Sequence, residues 1–338
     1  MRFAMKEASF DSFLKKIRRY GIPFNTVFEL TSKCNLSCVH CYQKQVENEL
    51  TFKEITSVLG QLKDAGCLKI IFTGGELTLR KDFKDIYRDA YEKGFAITVY
   101  TNGTLLCPET LRLLSDQSPL AVECSLYGAT AETHDGITGG SGSFDTTLRN
   151  LRWMKEAGIH VVVKTVVMTM NLKELGLIRD LTTDLGVVFQ PTFRIFTPAD
   201  PQRSVSHLRV SSEDIQNSVS EKSYDPPLID GDENREKEDF LCNAGRDSCC
   251  IVADGEVYPC TVLRAKCGNL QEQSFQEIWQ DSPRLKEWRS VTENDYPLCA
   301  SCKWKEKCRF CPGMGFMEHG NPLIPSKELC RISGALWS

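Results

Sequence analysis

Between residues 24 and 196 the chain alternates short runs of β-branched and aromatic residues with longer stretches whose apolar positions recur every three or four residues. By those periods, residues 27–30, 68–72, 96–100, 121–126, 160–168 and 187–196 are strands, and 52–65, 81–93, 108–114, 144–157 and 173–184 are helices. The first helix carries the clearest signal. Thr51 and Glu54 have capping-box spacing, Ile55, Val58, Leu59 and Leu62 share one face, and Gly66 ends it. Six strands, each followed by a helix except the last, require a parallel sheet with right-handed crossovers. The expected fold class is therefore α/β, a partial (β/α)6 barrel of the TIM type, with functional groups in the loops leaving the strands' C-terminal ends.

The pattern changes twice more. Residues 1–23 form an N-terminal extension, and 197–239 form a polar linker with Pro226, Pro227 and an acidic stretch over 230–239, with room for at most one helix. Residues 240–338 show little helical periodicity and hold ten of the sixteen cysteines, which predicts a small domain folded around metals.

Charge and composition narrow the function. With 41 basic against 45 acidic residues, a formal net charge of -4 and no long basic stretch, nucleic acid is not an expected partner. No apolar run approaches the roughly 18 residues of a membrane span, the richest (160–170) being interrupted by Lys164. The N-terminus lacks a secretory signal, so a cytoplasmic protein is expected. In a reducing compartment sixteen cysteines point to metal or redox chemistry rather than disulfides.

Cys34, Cys38 and Cys41 form CxxxCxxC directly after the first strand. Three thiolates can hold three irons of a cubane and leave the fourth open, whereas a structural zinc takes four protein ligands; a zinc site completed by His40 or a distant residue remains an alternative on spacing alone. After the second strand comes Gly74-Gly75-Glu76, where glycines permit close backbone approach and the carboxylate can accept from an ammonium group. In isolation that tripeptide is equally a turn. Thr101-Asn102-Gly103 and Ser125 sit at later strand ends, where each also fits a turn cap.

Taken together these motifs resemble the radical S-adenosylmethionine (SAM) superfamily, in which CxxxCxxC binds a [4Fe-4S] cluster whose open iron takes the amino and carboxylate groups of SAM. The resemblance implies that Glu76, with Gly74 and Gly75, holds the methionine amino group, and that Asn102 and Ser125 lie near the ribose and carboxylate. Leu77 replaces the family's usual proline. Thr138 stands where many relatives place an arginine; the position before the last cysteine, often aromatic in the family, is His40, and Tyr42 follows that cysteine.

Downstream, Cys242, the pair Cys249-Cys250, Gly255-x4-Cys260, the run Cys299-x2-Cys302-x5-Cys308-x2-Cys311, and Cys330 follow the order of the SPASM extension of these enzymes, although CxxC pairs also build zinc ribbons. The resemblance implies two auxiliary iron-sulfur clusters of the [4Fe-4S] type. Cys242, Cys249, Cys260 and Cys311 would hold one, and Cys299, Cys302, Cys308 and Cys330 the other. Cys249 is preferred to Cys250 by its place in the pattern. Cys67, Cys107, Cys124 and Cys267 are expected to be small buried hydrophobes.

The implied activity is release of a 5'-deoxyadenosyl radical that removes hydrogen from a substrate, with an external one-electron reductant of flavodoxin or ferredoxin type. Fully ligated auxiliary clusters favour electron transfer. Most such enzymes act on ribosomally made peptides or on proteins by crosslinking, epimerisation or oxidation, and with only about 25 residues before the first strand, leader recognition would fall to a separate protein. Sulfatase maturation is the nearest alternative; Thr261 stands where those enzymes have their proposed aspartate base. Tetrapyrrole or sugar modification stays open, and a non-catalytic scaffold needs no SAM-side residues. Tyr127, Lys164 and Arg194 are polar strand-end residues to which no catalytic role is assigned.

Overall fold

The computed structural model describes residues 8–338 apart from 199, 201, 222, 223, 225–241 and 309, so the acidic stretch and Pro226-Pro227 of the expected linker lie outside the described residues. After α1 (Ala8–Arg19), the chain runs β1 (Asn25–Thr31), α2 (Phe52–Asp64), β2 (Lys69–Gly74), α3 (Phe83–Glu92), β3 (Ala96–Thr101), α4 (Pro108–Asp116) and β4 (Ala121–Ser125). It continues through α5 (Ala131–Thr138), α6 (Ser143–Glu156), β5 (Val161–Val166), α7 (Leu175–Asp184), β6 (Val188–Thr192) and α8 (Ser212–Ser220). Strands β1 to β6 pair in parallel in sequence order, the half-barrel that the alternating pattern predicts.

Helix α2 shows how the sequence fixes a piece of it. The capping box forms, Glu54 N–H donating to Thr51 Oγ1 and Glu54 Oε2 accepting from Thr51 N–H, so two end donors are satisfied reciprocally. Ile55, Leu59 and Leu62 are fully buried beneath it, each worth about 1.5–3 kcal/mol by area. Helix α5 was not in the sequence pattern. It is only two turns long, started by the Thr130 cap and stopped by Gly139 in the left-handed region at φ 68°.

The C-terminal unit adds two features to the expected pattern. Strand β7 (Ser248–Ile251) joins the barrel sheet, parallel to β1, and β8 (Glu256–Tyr258) and β9 (Gly268–Asn269) extend it antiparallel, to nine strands among the described residues. Nor is the unit organised by thiols alone. Helices α9 (Phe275–Asp281), α10 (Pro283–Ser290), α11 (Pro297–Ala300), α12 (Pro312–His319) and α13 (Lys327–Trp337) follow. Phe275, Ile278, Trp279 and Leu285 join the same hydrophobic cluster as the buried faces of α2 and β1. The barrel core thus continues into α9 and α10, while Ile332 and Ala335 of α13 pack into a second cluster with Phe193, Leu175 of α7 and Ile215 of α8. Among the described residues no helix is long and apolar enough to cross a membrane.

Candidate functional site

Cys34, Cys38 and Cys41 lie on the loop that leaves β1, and neighbouring elements sew that loop down. Ser37 and Val39 N–H groups donate to the carbonyls of Thr138 and Ile137 at 2.9 and 3.0 Å, which fixes the loop to the end of α5. From the other side Arg203 donates to the carbonyls of Cys38, Val39 and Cys41 at 3.1–3.3 Å. Arg203 belongs to the segment read as linker, and no local signal marked it. Burial pushes the Cys38 thiol up to about 12, helped by Cys41 and Cys34 beside it; burial, Glu76 and Cys41 also raise Cys34. Such crowded thiols ionise together only if a cation discharges them, which fits an iron-sulfur cluster as the occupant.

Gly74 and Gly75 face the cysteine loop itself. A Cβ on Gly74, whose φ is 143°, would stand 2.2 Å from Thr31 O, and one on Gly75 2.1 Å from Lys33 O. The Gly75 and Glu76 N–H groups donate to Thr31 O and Lys33 O at 2.7 and 2.8 Å, so the two strand-end loops are bonded backbone to backbone. Glu76 is completely buried. Its carboxylate accepts from Thr101 Oγ1 (2.8 and 2.9 Å), Asn102 N (2.7 Å), Thr78 Oγ1 (2.5 Å) and Thr78 N (3.2 Å). Burial pushes its carboxyl above the ordinary range against the pull of those donors. Glu76 is therefore a fastener between the ends of β2 and β3, and the donors around its carboxylate are the protein's own.

Asn102 and Ser125 do face the open space. They line, with the three cysteines, Gly74, Gly75 and Tyr42, a cavity of about 1290 Å³ that runs from the first cysteine loop to α13. Asn102 Nδ2 lies 3.8 Å from Cys34 Sγ and donates to Asn35 Oδ1 at 3.0 Å. Thr138 lies behind the wall, its hydroxyl 2.7 Å from that of Ser143. His40 is buried edge-on against Tyr127, ring centroids 4.7 Å apart, and burial lowers it to about 4, so it stays neutral at physiological pH. His134, lowered likewise to about 4, accepts from Tyr127 N–H through Nδ1 at 3.1 Å. Among the described residues no three His, Cys, Asp or Glu side chains converge to hold a single metal ion.

The structure brings the later cysteines into two groups. Cys242 is close enough to Cys260 and Cys311 to be raised by both, on top of burial, up to about 12. Cys299 responds likewise to Cys330, Cys308 and Cys302. The adjacent pair is split by the pleat, since neighbouring strand residues point to opposite faces. Cys249 shares a face with Thr26, its Sγ 3.5 Å from Thr26 Oγ1, and has Cys67 and Cys267 for neighbours. Cys250 shares the inner face with Glu29, its Sγ 3.8 Å from Glu29 Oε1, and feels Cys260. This geometry favours Cys250 over the expected Cys249 as the thiol beside Cys260. Replacing Cys250 by serine is expected to change or remove one auxiliary paramagnetic signal; Cys249→Ser should leave all signals in place and cost about 1 kcal/mol. Electron paramagnetic resonance (EPR) of the reconstituted variants checks this.

Of the remaining thiols, Cys67, Cys124 and Cys267 are buried as expected, whereas Cys107 is only partly buried at the N-cap position of α4, where its thiol makes no capping hydrogen bond and lies 3.3 Å from Thr110 Oγ1. Lys164 pairs with Glu123 at 3.0 Å, and Arg194 lines the cavity on the side of Cys308.

Comparison with known proteins agrees with this geometry. Residues 28–181 match the family model described as the radical SAM superfamily, and 242–303 match SPASM, described as an iron-sulfur cluster-binding domain. The AdoMet-dependent heme synthase of Methanosarcina barkeri is 27% identical over 88% of this chain and 93% of its own. Mycofactocin maturase MftC of Mycobacterium tuberculosis is 29% identical over 86% of this chain and 78% of its own. Among solved structures, Streptococcus suis SuiB bound to S-adenosylmethionine superposes with a TM-score of 0.74 over 96% of this chain and 81% of that one, at 18% identity.

Proposed function

The chain belongs to the radical SAM superfamily and carries the SPASM iron-sulfur extension, and from that premise we propose an enzyme that removes a hydrogen atom from a peptide or protein substrate lying in the barrel mouth. Its cofactors are S-adenosylmethionine and several [4Fe-4S] clusters. When bound and reduced, the first cluster and SAM supply a 5'-deoxyadenosyl radical. Cys34, Cys38 and Cys41 are the thiolate donors for that cluster. Asn102, Ser125, Gly74, Gly75 and Tyr42 form the SAM-facing wall, which Glu76 and Thr138 brace from behind. Cys242, Cys250, Cys260 and Cys311, and separately Cys299, Cys302, Cys308 and Cys330, are the donors for two auxiliary clusters. Four thiolates each leave those clusters without an open iron, which favours electron transfer over substrate ligation.

The observation that carries the substrate reading is the open cavity of about 1290 Å³. Small-ligand pockets run to about 300–1,000 Å³, so this one, which also has to take the first cluster and SAM, has room for a substrate such as a chain segment beside them. The relation to MftC, a maturase, points the same way. A second reading, a tetrapyrrole, is favoured by the similarity to the heme synthase across 93% of that protein. Lys164, Arg194 and Lys307 on the cavity wall would suit its carboxylates. An external flavodoxin-type or ferredoxin-type reductant completes the peptide reading.

The test is anoxic incubation of the reconstituted protein with SAM and dithionite, adding either a short peptide encoded beside its gene or an iron porphyrin with propionate side chains. The peptide should raise 5'-deoxyadenosine well above the uncoupled background and change mass by loss of hydrogen. Turnover of the porphyrin alone would replace the peptide reading with the second.

A further inference from the structure

Glu29 and Arg264 are 235 positions apart in sequence and meet at 2.5 Å, Arg264 Nη2 donating to Glu29 Oε1. Glu29 is the β1 residue two before the strand ends, and its side chain is only 5% exposed. The same Oε1 atom lies 3.8 Å from Cys250 Sγ. Arg264 is pinned a second time: its Nε donates at 2.8 Å to the carbonyl of Thr261, the residue after Cys260. Its guanidinium also stacks over Tyr258, 5.3 Å from the ring centroid. One positive and one negative charge are thus held rigidly against the wall that presents Cys250 and Cys260.

Holding such a pair together gains little for the fold, because desolvating the buried Glu29 and the partly buried Arg264 consumes most of their attraction. What it does provide is a fixed local field beside Cys250, screened by solvent only on the Arg264 side. An iron-sulfur cluster gains negative charge on reduction, so a nearby cation favours the reduced form and a nearby anion the oxidised form. We propose that Glu29 and Arg264 are positioning residues that tune the auxiliary cluster held by Cys242, Cys250, Cys260 and Cys311, Arg264 raising its midpoint potential and Glu29 lowering it. This rests on the ligand assignment proposed above. Glu29 and Arg264 also line a small cavity together with Tyr42, which follows the first cluster's last cysteine.

The experiment is an anoxic redox titration of the reconstituted protein with dithionite, followed by EPR, on wild type, Arg264→Gln, Glu29→Gln and the double variant. The midpoint of one auxiliary signal should fall in Arg264→Gln, rise in Glu29→Gln and return towards wild type in the double variant, with a smaller response from the first cluster. A packing role would move both single variants in the same direction or not at all, and that result overturns the proposal. Should Arg264→Gln lose iron, the sign of the Glu29→Gln shift decides alone, an unchanged or lowered midpoint being the contrary result. Absence of two auxiliary signals from wild type would instead overturn the ligand assignment, which separates the two failures.

Discussion

Alanine at Gly75 will strip the first cluster from the protein before S-adenosylmethionine is added. The added methyl would sit 2.1 Å from Lys33 O and 2.8 Å from Ser32 O, and neither side has freedom to yield. Gly75 is bonded to Thr31 O at 2.7 Å and Glu76 to Lys33 O at 2.8 Å, so moving one backbone away breaks the hydrogen bonds that hold the cysteine loop in place. Overpacking against a side chain costs about 1–3 kcal/mol; against backbone pinned on both sides about 3 kcal/mol or more is expected. Iron analysis should show one cluster fewer per chain, while both auxiliary EPR signals persist. If the glycines served only to admit the ligand, Gly75→Ala would keep its full iron and lose SAM affinity instead.

The second large effect belongs to Glu76. Glutamine matches its shape and fails its chemistry. Oε2 takes the Asn102 N–H and Oε1 the Thr78 N–H, both backbone donors that cannot rotate away. Either orientation of a glutamine amide turns an NH2 towards one of them. Hydrogen bonds to charged groups contribute about 1.5–3 kcal/mol, so Glu76→Gln should lose about 2–3 kcal/mol of stability and Glu76→Ala more. Urea unfolding of the anoxic protein without SAM measures this directly. A variant of unchanged stability whose SAM affinity alone collapses would show that the carboxylate contacts the ligand rather than the β3 loop.

Local signals were legible in the sequence and distant ones were not. The capping box and apolar stripe of α2 lie within a dozen residues and predict that helix nearly to its ends. The six parallel strands announce themselves by β-branched runs. Helix α9 carries the same kind of capping box, Ser274 with Glu277, but its two turns are too short for Phe275, Ile278 and Trp279 to stand out as periodicity. Strand β7 has four residues, and only its pairing with β1, more than 220 positions upstream, makes it a strand. Without that pairing the alternation that sends Cys249 and Cys250 to opposite faces is invisible. Arg203 on the cysteine loop, and Arg264 on Glu29, are likewise products of tertiary contact. The thiol spacing marked where the chemistry lies, and the fold decided which side chains support it.

The central claim is that the thiols of Cys34, Cys38 and Cys41 hold a cluster that turns S-adenosylmethionine into a radical source. Its most direct test is reductive SAM cleavage by the anoxically reconstituted protein beside a variant with all three of these cysteines replaced by alanine. Wild type should yield 5'-deoxyadenosine and methionine with dithionite, and the variant none, although its auxiliary clusters remain visible by EPR. Equal yields from the two proteins, or none from wild type carrying its full complement of iron, would contradict it.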